Sequence, residues 1–148
     1  MHTPRTHYQQ LWQFRVALLV SIGVVVPLGY WVRFTPAGEW GWLSDALGSV
    51  AYEVFWILLI LLCWPRGSIA KAAIAVCLAT CAIEFLQLWQ APFLQAVRWL
   101  RRLRATRPGC LILGNTFSWA DFPAYALGSW VGYGWAKTLQ RAVRRSSV

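Results

Sequence analysis

Glu84 and Gln87 close one apolar segment, Asp121 and Tyr125 open the next, and five arginines from Arg98 to Arg107 lie between them. Glu84 and Gln87 are three residues apart and share a helix face. Ionisable side chains in or beside a bilayer are costly, and by default they mark function. A carboxylate near hydrocarbon needs a guanidinium or several hydrogen-bond donors, or it takes up a proton. Arginine suits the task, because its planar fork holds a carboxylate or a phosphate through two bonds. One outcome is a buried ion-pair network of Glu84, Asp121 and an arginine that fixes helix packing and binds nothing. Another is a polar pocket open to the lipid headgroup layer. Acid–base hydrolysis by the two carboxyls is a weaker option. The only histidines, His2 and His7, sit in the N-terminal tail, and no Gly-rich phosphate loop is present. No catalytic residue, metal or cofactor is assigned.

Four apolar stretches must position this cluster. The expected fold is an all-α integral membrane protein of four transmembrane helices, with an interfacial amphipathic helix and a short re-entrant segment before the last helix. The helices are expected at about 14–32, 44–64, 68–89 and 122–139 in a single domain. The amphipathic segment covers 92–107, and the re-entrant or interfacial piece 110–117. The first run has about the 20 residues that a spanning helix needs. It ends in Tyr30, Trp31 and Arg33 rather than a small-residue cleavage site, so it is expected to be retained. Ser44 or Asp45 is expected to cap the second helix, and Pro65–Ser68 to form a tight hairpin turn into the third. Asp121 is expected as N-cap of the fourth, with Pro123 in its first turn. Ala124, Gly128 and Gly132 make a small-residue stripe for close packing on a neighbour. Glu53 stands apart, two turns into the second helix beside Tyr52, and is expected to reach toward Arg66 or Lys71.

Composition agrees with a bilayer setting. Hydrophobic residues make up 58% and charged residues only 13% of 148, against roughly 25% charged in an average soluble domain. Eleven Trp in so short a chain fit the membrane interface, where an apolar ring and a polar N–H are both satisfied. The net charge of +9 does not indicate nucleic acid. The basic residues cluster at the ends and loops of apolar runs, where anionic headgroups attract them, and no recognition motif accompanies them. Cys63, Cys77, Cys81 and Cys110 lie in or beside apolar runs and are expected to pack as small apolar groups, without disulfide or metal.

Four crossings would put both termini and the Pro65–Ser68 turn on one side, with Arg5, Arg15, Arg66, Lys71, Lys137, Arg141, Arg144 and Arg145. The other side would carry Arg33 and the arginine run. The slight Lys/Arg excess predicts cytoplasmic termini. Asp45, Glu84, Gln87 and Asp121 would then share the outer level.

At these residues the chain resembles a small bacterial membrane family of unknown function, sometimes labelled "ribosomal maturation YjgA family". Glu84–Leu88, Ala91–Leu94, Leu103–Thr106, Leu111–Gly114, Phe117, Asp121, Tyr125 and Gly128 carry the resemblance, with Arg33 and Asp45 in support. A more distant likeness is to VanZ-like proteins, which share a Glu-x-x-Gln at a helix end, an arginine in the following loop and an aspartate opening the last helix. The resemblance implies a four-helix inner-membrane protein with an envelope-lipid or amphiphile role. Two departures stand out. Gln95 occupies a place where an acidic residue is common, and the Pro92–Arg104 segment is about six residues longer by eye. Arg98 and Arg104 both compete for the family arginine, with Arg104 favoured.

The expected function is non-catalytic binding of a lipid headgroup or amphiphile at one membrane face of the bacterial inner membrane. Glu84, Gln87, Arg104 and Asp121 would line the site, with Asp45 and Tyr125 supporting. The expected partners are anionic membrane lipids, and a membrane protein docked through the Trp-rich faces and Gly128/Gly132. The alternatives are an accessory subunit of a larger membrane complex, or an enzyme acting on a lipid-linked envelope substrate.

Overall fold

The computed structural model describes residues 4–34, 41–89 and 119–146. Among these residues it holds four helices: α1 (Pro4–Phe34), α2 (Gly41–Cys63), α3 (Ile69–Trp89) and α4 (Asp121–Arg145). The expected amphipathic segment at 92–107 and the re-entrant piece at 110–117 lie outside the described residues.

α2 and α4 each touch all three other helices. α1 runs antiparallel to α2, since Arg33 near its end meets Asp45 near the start of α2. The turn after α2 is closed by the Gly67 N–H donating to the Trp64 carbonyl at 2.9 Å, and the Lys71 N–H donates to Ser68 Oγ at 3.4 Å. α3 therefore returns alongside α2. α4 runs parallel to α2, since Asp121 meets Ser49, Gly128 meets Glu53 and Gly132 meets Ile57 in that order.

The small residues explain how closely the helices approach. A Cβ on Gly128 would lie 2.7 Å from Glu53 Cβ and 3.1 Å from Val50 Cα, and one on Gly132 would lie 2.7 Å from Ile57 Cδ1. Between α1 and α2, a Cβ on Gly29 would lie 2.9 Å from Ala51 Cβ. Such contacts bring helices together through van der Waals packing, the main attraction left in lipid. The Ala124–Gly128–Gly132 stripe thus meets α2 of the same chain.

Along the bundle, composition divides the interior. Toward the α2–α3 turn the core is apolar: Phe14, Leu18, Ile57, Leu58, Leu61, Ile69, Ala72, Ala73, Val76 and Ala136. Toward the opposite end the buried side chains include Glu53, Thr80, Glu84 and Tyr125.

Two helices, Tyr8–Phe34 within α1 and Gly41–Cys63, are long and apolar enough to cross a membrane. Only 22% and 28% of their apolar windows are buried, so most of these surfaces face outward, unlike the core helix of a water-soluble domain. Exposed apolar area on this scale marks contact with a membrane or a protein. Four such helices were expected. Among the described residues α3 and α4 do not meet the same measure, and α4 shows why. It turns Ala124, Tyr125, Gly128, Gly132 and Ala136 inward and carries Asp121, Lys137, Arg141, Arg144 and Arg145 along its length.

The ends also differ from expectation. α1 begins at Pro4, and α4 continues to Arg145 rather than stopping near 139, so parts of both polar tails are helical. The α4 N-cap is Ala120, without a side-chain hydrogen bond, and Asp121 is the first helical residue. There its charge favours the positive end of the helix dipole. α2 starts at Gly41, so neither Ser44 nor Asp45 caps it. Ser44 Oγ donates to the Val32 carbonyl at the end of α1, and Asp45 pairs with Arg33.

Candidate functional site

Polar side chains recur every fourth residue on the facing surfaces of three helices: Asp45, Ser49 and Glu53 on α2, Thr80 and Glu84 on α3, and Asp121, Tyr125 and Ser129 on α4. A step of four is slightly more than one helical turn, so each set lines one face. Packing α2, α3 and α4 together turns these sets into a ladder that descends from the open end of the bundle into its interior.

The outermost rung is partly solvated. Arg33 Nη1 donates to Asp45 Oδ1 at 2.7 Å, in an ion pair that is largely exposed on the Asp45 side. Ser49 Oγ lies 3.4 Å from Asp121 Oδ1 and 3.1 Å from the Asp45 carbonyl, so its single proton serves one acceptor at a time. Asp121 stands ahead of the apolar stretch of α4. Burial pushes its carboxyl above the ordinary aspartate value, the Ser49 hydroxyl and Arg33 draw it back, and Asp45 adds to the rise.

The middle rung is closed. Tyr125 Oη donates to Glu84 Oε1 at 2.8 Å, with both side chains buried. Outside them Phe122 packs against Phe85 and Trp119, with ring centroids 5.2 and 5.7 Å apart.

The deepest rung is Glu53, which has no exposed surface. Ser129 Oγ donates to Glu53 Oε1 at 2.7 Å. Thr80 Oγ1 stands 3.5 Å from the same oxygen and closer, at 3.0 and 3.1 Å, to the Cys77 and Val76 carbonyls of its own helix. Glu53 was expected to reach Arg66 or Lys71. It points across the bundle because Gly128 leaves room for its stem against α4.

Four of the six expected site residues therefore gather at one end: Asp45, Glu84, Asp121 and Tyr125. Gln87 belongs to the last turn of α3, with its side chain outside the described residues, and Arg104 lies outside them altogether. Glu53 was given little weight in the sequence, and Ser49, Thr80 and Ser129 were missed. The four-residue spacing of Ser49, Thr80 and Ser129 from a recognised site residue was the available signal.

One groove meets the ladder, at Ser129. An open groove of about 370 Å³ between α3 and α4 is lined by Ala73, Ile74, Cys77, Ala126, Trp130 and Tyr133, among others. Cys63, Cys77 and Cys81 are free thiols. Among the described residues no three His, Cys, Asp or Glu side chains converge as metal ligands would.

No curated protein and no solved structure matches this chain. A family model described as "Protein of unknown function (DUF2809)" matches residues 38–129. The match takes in α2, α3 and every rung of the ladder from Asp45 to Ser129, and its description assigns no activity. It bears neither the ribosomal-maturation label nor the VanZ-like one. By this match over more than half its length, the chain belongs to the DUF2809 family of unknown function.

Proposed function

We propose that this chain is a multi-pass protein of the bacterial inner membrane, with cytoplasmic termini, that binds the headgroup of a lipid or other amphiphile at the outer end of the ladder without catalysing a reaction. The observation that carries the reading is the set of carboxyl groups from three helices, Asp45, Glu84 and Asp121, gathered at one end of an apolar-surfaced bundle. Among the described residues at that end, only Arg33 opposes them in charge. A cluster of this kind accepts hydrogen bonds from an amine or from hydroxyl groups, while Arg33 and Arg104 suit a phosphate.

The placement of tryptophan supports the bilayer setting. Trp31, Trp42 and Trp119 are exposed near the ladder's open end, and Trp12 and Trp64 near the other. Trp12 and Trp31 are separated by roughly 28 Å of helix, and Trp42 and Trp64 by roughly 33 Å. Those spans match a hydrocarbon core of about 30 Å flanked by aromatic belts.

Native mass spectrometry of the protein extracted gently from its own membrane tests the reading, with Glu84→Gln and Arg104→Ala variants alongside. The wild type is expected to carry a discrete lipid that both variants lose while remaining folded. Equal occupancy in all three, or none in any, would overturn it. The accessory-subunit reading rests on a separate observation, the α3–α4 groove beside exposed Ile74, Leu78 and Trp130. It predicts a stoichiometric protein partner in the same spectra.

A further inference from the structure

The headgroup reading uses the upper two rungs and leaves Glu53 without a role. Glu53 is fully buried, and its second oxygen, Oε2, has no hydrogen-bond partner among the described residues. Among the described residues, the ionisable groups that interact with it are Tyr52 on its own helix and Cys81 on α3, and neither supplies a positive charge at neutral pH. α1 carries no ionisable side chain between Arg15 and Tyr30. Among the described residues the cations sit toward the ends of the bundle. Lys71 is roughly 13 Å along α3 from Thr80, and Lys137 roughly 12 Å along α4 from Ser129.

Donor counting decides the chemical state. An ionised Glu53 would hold two anionic oxygens in the interior, with one good donor from Ser129 and a Thr80 hydroxyl that sits closer to its own helix carbonyls. A buried carboxylate so poorly compensated is strongly disfavoured and neutralises instead. With a proton on Oε1 the same side chains complete a relay. The acid donates across the 2.7 Å contact to Ser129 Oγ, and Ser129 turns its own proton toward the Ala73 carbonyl, 3.5 Å away. Oε2 then becomes the carbonyl oxygen of a neutral acid, which is far cheaper to leave unpaired than an anionic one.

We propose that Glu53, with Ser129 and Thr80, is a proton-binding site in the middle of the bundle, about one helical turn inward of the Glu84–Tyr125 rung along α3 and α4. Ionisable side chains buried inside membrane bundles serve as proton relays in pumps and transporters. The Glu53 site therefore adds a bound proton to whatever the outer end recognises.

Infrared difference spectroscopy on the full chain in lipid nanodiscs, at neutral pH, tests this. The wild type is expected to show the carbonyl-stretch band of a protonated carboxylic acid that shifts down in D2O and is missing from Glu53→Gln. Ser129→Ala, which leaves the carboxyl in place, is expected to move the band, so the test survives if Glu53→Gln fails to fold. Superimposable spectra for wild type and Glu53→Gln would overturn the proposal. So would an unmoved band in Ser129→Ala. Loss of the band on replacing potassium by sodium would also overturn it, by making the site one for a metal cation.

Discussion

Tyr125 satisfies one oxygen of a buried carboxyl with one hydroxyl, so its removal has a defined cost. Tyr125→Phe keeps the ring and deletes the donor to Glu84 Oε1. The expected loss is about 1–3 kcal/mol, the penalty for depriving a buried acceptor of its donor, read as a lower unfolding temperature in detergent. Asp121 makes a prediction of opposite sign. Burial raises its carboxyl in the folded protein, so the folded state binds the proton more tightly than the unfolded chain does. Stability therefore falls as pH rises through the folded value. Asp121→Asn removes that loss. The variant is expected to be more stable than wild type at about pH 7, with the difference closing below the ordinary aspartate value of about 3.9. At this scale much was readable in the sequence, because Glu84, Asp121 and Tyr125 interrupt apolar runs and so announce themselves. The partners of Glu53 were hidden. Ser129 and Thr80 are unremarkable in a helix, and only the pairing of three helix faces makes them its neighbours.

Among the elements, the α2–α4 contact governs whether the ladder exists. Gly128→Ala places a methyl 2.7 Å from Glu53 Cβ and 3.1 Å from the Val50 backbone, and backbone cannot rotate away. The expected destabilisation is about 1–3 kcal/mol. Gly134→Ala, with nothing within 4 Å, serves as the control and is expected to gain up to about 1 kcal/mol of helix propensity. Equal effects of the two substitutions in thermal unfolding would contradict the packing. The small-residue stripe was legible from its spacing, but its partner was not, since any neighbouring helix could have filled it. Helix ends were misjudged for a related reason. Apolar periodicity stops near 139, yet α4 continues to Arg145. Basic residues at a helix C-terminus are favourable there and carry the helix onward. Asp121 resembled a cap because caps and first-turn acids draw on the same residues.

On the scale of the whole molecule, the bundle is polar inside at one end, apolar inside at the other, and apolar over most of the surface of α1 and α2. That division gives the two ends different environments and makes a transverse orientation the central claim. Impermeant thiol labelling of intact cells tests it directly, using variants in which the native cysteines are replaced and one cysteine is returned at Asp45 or at Arg141. The account predicts that Asp45→Cys is labelled in intact cells and Arg141→Cys only after the membrane is opened. Labelling of both from the same side would show that the two ends share a compartment, and would contradict it.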